Sequence, residues 1–203
     1  MQYISSFRYN DMLCYAIYMY MYVFFLYEGS LAAGLTSSVT IGFLLGLIQG
    51  NTFSKMESVD GKMNMIRKSY VVSFVSTLGL TLCGVDGISK LLGHHGGSIV
   101  TTSITVLSGI VAGTVSFQFY QFPNLISSTL FPDNSAVALS LTDAAAYFVA
   151  ATILGINRLL LGNFGWCSAW AFIATTFGIG GTVITKAIRP VLIQQQQQQQ
   201  QCR

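Results

Sequence analysis

The chain has 203 residues, of which 52% are hydrophobic and only 8% are charged. A soluble domain carries about 25% charged residues, so this composition, with a mean hydropathy of +0.58, is typical of a polytopic membrane protein. The net charge of +3 is too small and too scattered to indicate a nucleic-acid partner. The four cysteines lie far apart without a C-x-x-C pair, so the sequence predicts neither a metal site nor a cofactor.

Six long apolar segments are predicted to be membrane-spanning helices, because each is nearly uncharged and close to the required length of about 20 residues. They cover residues 11–27, 31–50, 69–85, 98–122, 136–160 and 164–187. The predicted fold is therefore all-α, a polytopic bundle of six transmembrane helices within residues 1–190. Residues 191–203 are rich in glutamine and are predicted to be a disordered cytosolic tail.

The cations predict the orientation of the chain. With six spans both termini lie on one side of the membrane, and eight of the ten Lys and Arg residues fall on that side. Cytosolic loops carry the excess of cations, so both termini are predicted to be cytosolic. The eight are Arg8, Lys55, Lys62, Arg67, Lys68, Lys186, Arg189 and Arg203. Which membrane holds the protein is left open.

Glycines recur at helical spacing in two of the predicted spans. Gly42, Gly46 and Gly50 repeat every four residues in the second span, and Gly109 and Gly113 lie four apart in the fourth. In a helix such a repeat places bare backbone on one face, where a neighbouring helix can approach closely. Both sets are therefore predicted to be helix-packing faces inside the membrane bundle.

Polar side chains within the spans are candidates for a solute cavity or gate. Tyr22 ends a helical face of tyrosines in the first span, which either packs against neighbouring helices or lines a polar cavity. Asp143 is the acid clearly inside a span, about 9 Å from its start at 1.5 Å per residue. A carboxylate there must face the bundle or water. It either takes part in gating or coupling, or it hydrogen-bonds to a neighbouring helix end.

The fourth span ends in further polar residues. Gln118 and Tyr120 place an amide and a hydroxyl near its cytosolic end and are also cavity candidates. Pro123 removes an intrahelical hydrogen bond, so it is predicted to bend or end the helix there. The bend is either an ordinary proline kink or a broken helix that exposes backbone to a cavity, as in transporters.

Four stretches occur in the same order as in a known transporter family. They are GFLLGLIQGNTFSK at 42–55, FPNLISS at 122–128, SLTDAAAYFVAATI at 140–153 and GWCSAWAF at 165–172. Together they resemble the C-terminal half of a major facilitator superfamily transporter, nearest to the organophosphate or sugar-phosphate antiporters. The resemblance covers most of residues 10–188. Asp143 and the pair Gly165–Trp166 match the aspartate and the Gly-Trp of that family.

This resemblance implies half of a twelve-helix fold, in which a small solute binds between two six-helix halves near the membrane midplane. The partner would be a second six-helix half, either a missing N-terminal half or another chain. The antiporters commonly carry a cation in the first helix of this half, and here no Lys or Arg follows Arg8 in the first span. The substrate class is therefore not implied.

The sequence leaves three functions open. The first is transport of a small organic solute by alternating access, as one half of a secondary transporter. The second is a non-transporting membrane scaffold or assembly subunit whose glycine faces bind a partner. The third is a small channel formed by several copies. An enzyme is not predicted, because the motifs G-x-S-x-G, H-E-x-x-H and G-x-x-x-x-G-K-[ST] are all missing from the sequence.

Overall fold

The computed structural model describes residues 30–85 and 96–201, and these residues form helices without a strand. The helices are α1 (Ser30–Lys55), α2 (Val59–Cys83), α3 (Gly96–Leu130) and α4 (Ser135–Gln201), with a 3-10 turn at Pro132–Asn134 between α3 and α4. The all-α prediction is therefore confirmed for this part of the chain. The predicted first span at 11–27, with Tyr22, lies outside the described residues.

Helix α4 consists of two arms, 135–164 and 166–201, that meet at Gly165. The backbone of Gly165 has φ 79° and ψ −175°, a conformation that is essentially restricted to glycine. Trp166 contacts Leu80 near the end of α2, whereas Gln198 contacts Thr129, close to the start of the first arm. The two arms therefore run in opposite directions, and Gly165 makes the reversal.

Helix α3 lies at the centre of the bundle and contacts α1, α2 and α4. It runs parallel to α1, since Gly42 lies beside Gly109 and Gly46 beside Gly113. It runs antiparallel to α2. The second arm of α4 packs along the far side of α2, where a Cβ on Gly181 would lie 2.9 Å from the side chain of Tyr70.

The contact between α1 and α3 is made by backbone. A Cβ on Gly42 would overlap with the carbonyl oxygen of Gly109, and a Cβ on Gly46 would overlap with that of Gly113. In the other direction, a Cβ on Gly113 would come within 2.8 Å of the carbonyl oxygen of Gly42. Only glycine permits this separation, and Ser116 Oγ adds a hydrogen bond of 3.3 Å across the crossing to the carbonyl oxygen of Phe43.

The apolar core lies at one end of the bundle, where α1 and α3 end, α2 begins and α4 ends. Its members are Phe53, Met63, Ile66, Phe117, Phe122, Leu125, Ile188, Val191 and Leu192. Elsewhere many of the buried residues are serine and threonine, and many large apolar side chains face outward. Leu141 and Phe148 on the first arm of α4, for example, are 68% and 75% exposed. Such an apolar exterior is typical of a surface that meets lipid or another membrane helix.

Three of the described helical stretches are long and apolar enough to cross a membrane: Ala33–Lys55, Gly97–Leu130 and Pro132–Gln198. Helix α2, which contains the predicted third span, is less apolar because it begins with several charged residues and continues with serines and threonines. The number of membrane passes predicted from the sequence remains a prediction.

Two boundaries differ from those predicted. Helix α3 continues through Pro123 to Leu130 instead of ending at 122. Helix α4 continues to Gln201, where composition predicts a disordered tail from residue 191. Its side chains Val191 and Leu192 are buried in the core, so tertiary packing helps to stabilise the helix there.

The glycine crossing predicts opposite effects for two equivalent substitutions. Gly42→Ala is expected to destabilise the protein by about 1–3 kcal/mol, because the new methyl group meets backbone that cannot rotate away. Gly155→Ala is the matched control, since a Cβ there meets nothing within 4 Å. It should be neutral or stabilise by up to about 1 kcal/mol through helix propensity. Thermal unfolding of the detergent-solubilised protein measures both, and equal midpoints for the two variants would contradict the close crossing.

Candidate functional site

Gln118, a sequence-predicted cavity residue, lies in a buried polar network between α2 and α3. Its Nε2 donates hydrogen bonds to Ser69 Oγ at 3.0 Å and to Ser73 Oγ at 3.4 Å. Ser73 Oγ in turn lies 2.7 Å from Thr114 Oγ1. With the Gln118 side chain only 9% exposed, its donors are directed at α2. The arrangement is typical of polar residues that hold membrane helices together, each such bond contributing about 0.6 kcal/mol on average.

The candidates Tyr120 and Asp143 lie on the two elements that meet where Phe119 of α3 packs on Tyr147 of the first arm of α4. Tyr120 packs edge to face on Phe119, with ring centroids 5.5 Å apart, and Phe119 packs in the same way on Tyr147 at 5.6 Å. Asp143 lies one helical turn before Tyr147, on the same face of the arm, and is half-buried. These four residues form an acid–aromatic face that combines a carboxylate and two phenol groups with an apolar ring.

Pro123 lies within α3 next to this face. Proline has no N–H to donate to the preceding turn. Beside it, Asn124 Nδ2 donates to the carbonyl oxygen of Tyr120 at 2.6 Å, so a side-chain amide reinforces the turn that the proline weakens. On the other side of α3, Gln121 lies against Gly50, and Ser54 Oγ donates to Gln121 Oε1 at 3.4 Å. The bend at Pro123 that the sequence predicts remains a prediction.

A groove of about 350 Å³ lies between α1 and α2, above the glycines of α3. Its lining is mainly apolar, with Leu45 on the α1 side and Val72 on the α2 side, and Gln49 and Thr114 contribute polar atoms. Gly42, Gly46, Gly109 and Gly113 all line it. The acid–aromatic face does not, so the groove and that face are separate features.

Lys62 is a buried cation at the end of the bundle that holds the apolar core. It is 5% exposed, its Nζ donates to Gln195 Oε1 at 2.8 Å, and it lies 5.5 Å from the centroid of the Phe53 ring. Burial lowers the pKa of its ammonium group, because the charged form loses hydration. The hydrogen bond and the aromatic face partly compensate for that loss.

Trp166 lies next to the reversal in α4 and is hydrogen-bonded to the end of α2. Its indole Nε1 donates to the carbonyl oxygen of Leu80 at 2.7 Å, and Cys167 Sγ donates to that of Thr81 at 3.5 Å. The last carbonyl groups of a helix lack partners within the helix, so these two side chains stabilise the end of α2. The Gly-Trp pair quoted for the family resemblance thus has a structural role, with the glycine making the reversal.

Sequence analysis did not single out Phe119, Tyr147 or the buried position of Lys62. Tyr147 could have been found from its spacing, since it follows Asp143 by four residues and shares its helical face. Phe119 could not have been found from the sequence, because it is among many aromatic residues. Lys62 could not have been found either, because several cations occur in the same loop and at the start of the same helix.

Comparison with known proteins identifies no family for this chain. No family model matches the sequence, and neither the curated proteins nor the solved structures contain a significant match.

The buried Lys62 predicts a pH-dependent stability. In the unfolded chain Lys62 has its ordinary pKa, whereas in the folded protein the pKa is lower. Between those two values the unfolded state binds more protons, so stability should rise as pH rises through that window. Lys62→Met should lose this rise, while Lys68→Met, at an exposed position on the same helix, should keep it. Unfolding midpoints in detergent from pH 7 to alkaline pH check this, and parallel curves for both variants would contradict the burial of Lys62.

Proposed function

We propose that the chain is a membrane-embedded helical bundle that serves as one half of a secondary transporter and moves a small organic solute by alternating access. The observation that carries the proposal is the acid–aromatic face, where Phe119 of α3 packs on Tyr147, one helical turn after the half-buried Asp143 of the first arm of α4. A carboxylate on an apolar membrane helix is costly, by about 2.5–3.5 kcal/mol at mid-membrane, and is retained where it serves a solute or ion pathway.

The arrangement of the helices also supports the proposal. Helices α1, α2 and α3 alternate in direction, and the two arms of α4 continue that alternation. With the predicted first span at 11–27, the chain would have six spans, as the resemblance to a major facilitator half implies. On that basis the proposed protein is a multi-pass membrane protein with both termini cytosolic, working with a second six-helix half.

The scaffold alternative is less favoured by the geometry. It requires the glycine faces to bind a partner, yet Gly42 and Gly46 on α1 pack against Gly109 and Gly113 on α3. Those faces are therefore occupied within the chain. Gln118 is removed from the proposed cavity residues for a similar reason, because Ser69 and Ser73 already engage its amide. Tyr120 and Asp143 remain, and Phe119 and Tyr147 join them.

The six-span topology predicts which positions face the cytosol. Asp60 and Asp133 lie at the end of the bundle near Lys62 and Thr129, and Asn163 lies at the other end beside the reversal. In sealed vesicles whose cytosolic face lies inside, an impermeant maleimide should label Asn163→Cys but neither Asp60→Cys nor Asp133→Cys. All three should be labelled after permeabilisation. Labelling of Asp60→Cys and Asn163→Cys from the same side would contradict the topology.

The transport proposal predicts that Asp143 is required for uptake. Proteoliposomes are tested with radiolabelled inorganic phosphate, glucose 6-phosphate and glucose, with the chain alone and together with a second six-helix half. Uptake of any probe that wild type takes up should fall to background in Asp143→Ala, because the carboxylate at the proposed site is lost.

The matched control for this experiment is Asp133→Ala, which removes an exposed carboxylate from the 3-10 turn just before the same arm. It should leave uptake unchanged. Normal uptake in an Asp143→Ala variant that inserts normally would remove Asp143 from the mechanism. A stable complex with the second half that takes up none of the probes would favour the scaffold alternative.

A further inference from the structure

The glutamine-rich end of α4 continues a buried helical face. Ile188, Val191 and Leu192 point into the apolar core and are at most 9% exposed. The next positions at the same helical spacing are Gln195 and Gln198. The face that packs on the bundle therefore changes from apolar to amide along one helix, without leaving the bundle.

The two glutamines make different hydrogen bonds with two other helices. Gln195 Oε1 accepts from Lys62 Nζ of α2 at 2.8 Å, while Gln198 Nε2 donates to the carbonyl oxygen of Thr129 at 3.2 Å. Thr129 is next to the last residue of α3, so its carbonyl has no partner further along that helix. An amide side chain both donates and accepts, which lets a run of identical residues satisfy a cation and a carbonyl together.

These contacts join the tail to two residues that are almost completely buried. Lys62 is 5% exposed and Thr129 is 1% exposed. Thr129 Oγ1 is buried without a hydrogen-bond partner in the described part of the chain, so it does not itself hold the tail in place. The positions between the two contacts, Gln194 and Gln197, face outward.

We propose that residues 194–201 form a strap that closes this end of the bundle over Lys62 and Thr129 and that opens separately from the apolar core. Apart from the backbone bonds of α4 itself, side-chain hydrogen bonds from Gln195 and Gln198 attach the described part of the strap to the other helices, whereas packed apolar side chains hold the core. Segments with few buried apolar contacts open first. Ordering several long glutamine side chains also costs conformational entropy, which favours the open form.

The test measures how readily Thr129→Cys reacts with a maleimide in the detergent-solubilised protein. It uses a background in which the natural cysteines are replaced by serine, namely Cys14, Cys83, Cys167 and Cys202. The strap variant is Gln195→Ala with Gln198→Ala. Its matched control is Gln194→Ala with Gln197→Ala, which has the same composition but leaves both contacts intact.

The strap variant should label Thr129→Cys about tenfold faster than the control pair, because two hydrogen bonds have been lost. A single Gln195→Glu substitution should slow labelling, since a carboxylate pairs better with Lys62 than an amide does. Equal rates in the two alanine pairs would overturn the proposal.

A second reporter separates strap opening from unfolding. Thr77→Cys lies on α2 at a fully buried position away from the tail, and it should stay protected in every variant. If the strap variant exposes Thr77→Cys together with Thr129→Cys, the glutamines stabilise the whole bundle. The strap then does not open separately from the core, and the proposal is wrong. No step of the test depends on transport, so its outcome is independent of the proposed function.

Discussion

The structure depends on the contact between the backbones of α1 and α3. Gly42 and Gly46 lie so close to Gly109 and Gly113 that no Cβ fits between the two helices. Lipid provides no hydrophobic driving force between helices, so close packing and polar contacts must hold a membrane bundle together. The parallel α1–α3 pair supplies the first, and the Gln118–Ser73–Thr114 network between α2 and α3 supplies the second.

These two interfaces explain why the bundle is inverted relative to a soluble protein. Residues that allow close approach or interhelical hydrogen bonds are small or polar, and they occupy the interior. Large apolar side chains are left for the exterior, as on the first arm of α4. The apolar core occurs only where four helix ends meet around Phe117 and Ile66 within the described residues, near the charged loops. At that end the apolar side chains are buried, as in a soluble domain. The buried lysine and the helical glutamines lie at the same end.

Sequence patterns predicted the elements better than the contacts between them. Apolar length indicated helices near 31–50 and 98–122, and the structure has α1 and α3 there, each extended at both ends. Glycine spacing identified the faces of Gly42 and Gly109 but could not pair them, since periodicity specifies a face and not its partner. Composition predicts disorder from residue 191, whereas α4 extends to Gln201, because composition does not reveal a core that Leu192 can enter.

The same limit applies to the candidate site. Gln118 and Tyr120 are two residues apart and equally polar in sequence, yet the helix directs them to different neighbours. Gln118 faces the hydroxyls of α2, which satisfy its amide, and Tyr120 packs beside Phe119, whose ring contacts Tyr147 on the first arm of α4. Residue type alone predicts that both are candidates, whereas the neighbouring helix decides which groups each side chain contacts.

The distribution of contacts also determines which parts can move. Backbone contact joins α1 to α3, hydrogen bonds join α3 to α2, and α2 is tied to the second arm of α4 by Trp166 and Lys62. The first arm differs in burial, since its most apolar stretch buries none of its residues, and Tyr147 on this arm contacts Phe119 of α3. It is joined to the second arm at Gly165, where the backbone is not helical. A motion that changes access to Asp143 would therefore displace the first arm about its two ends, while α1, α2 and α3 remain together as a unit.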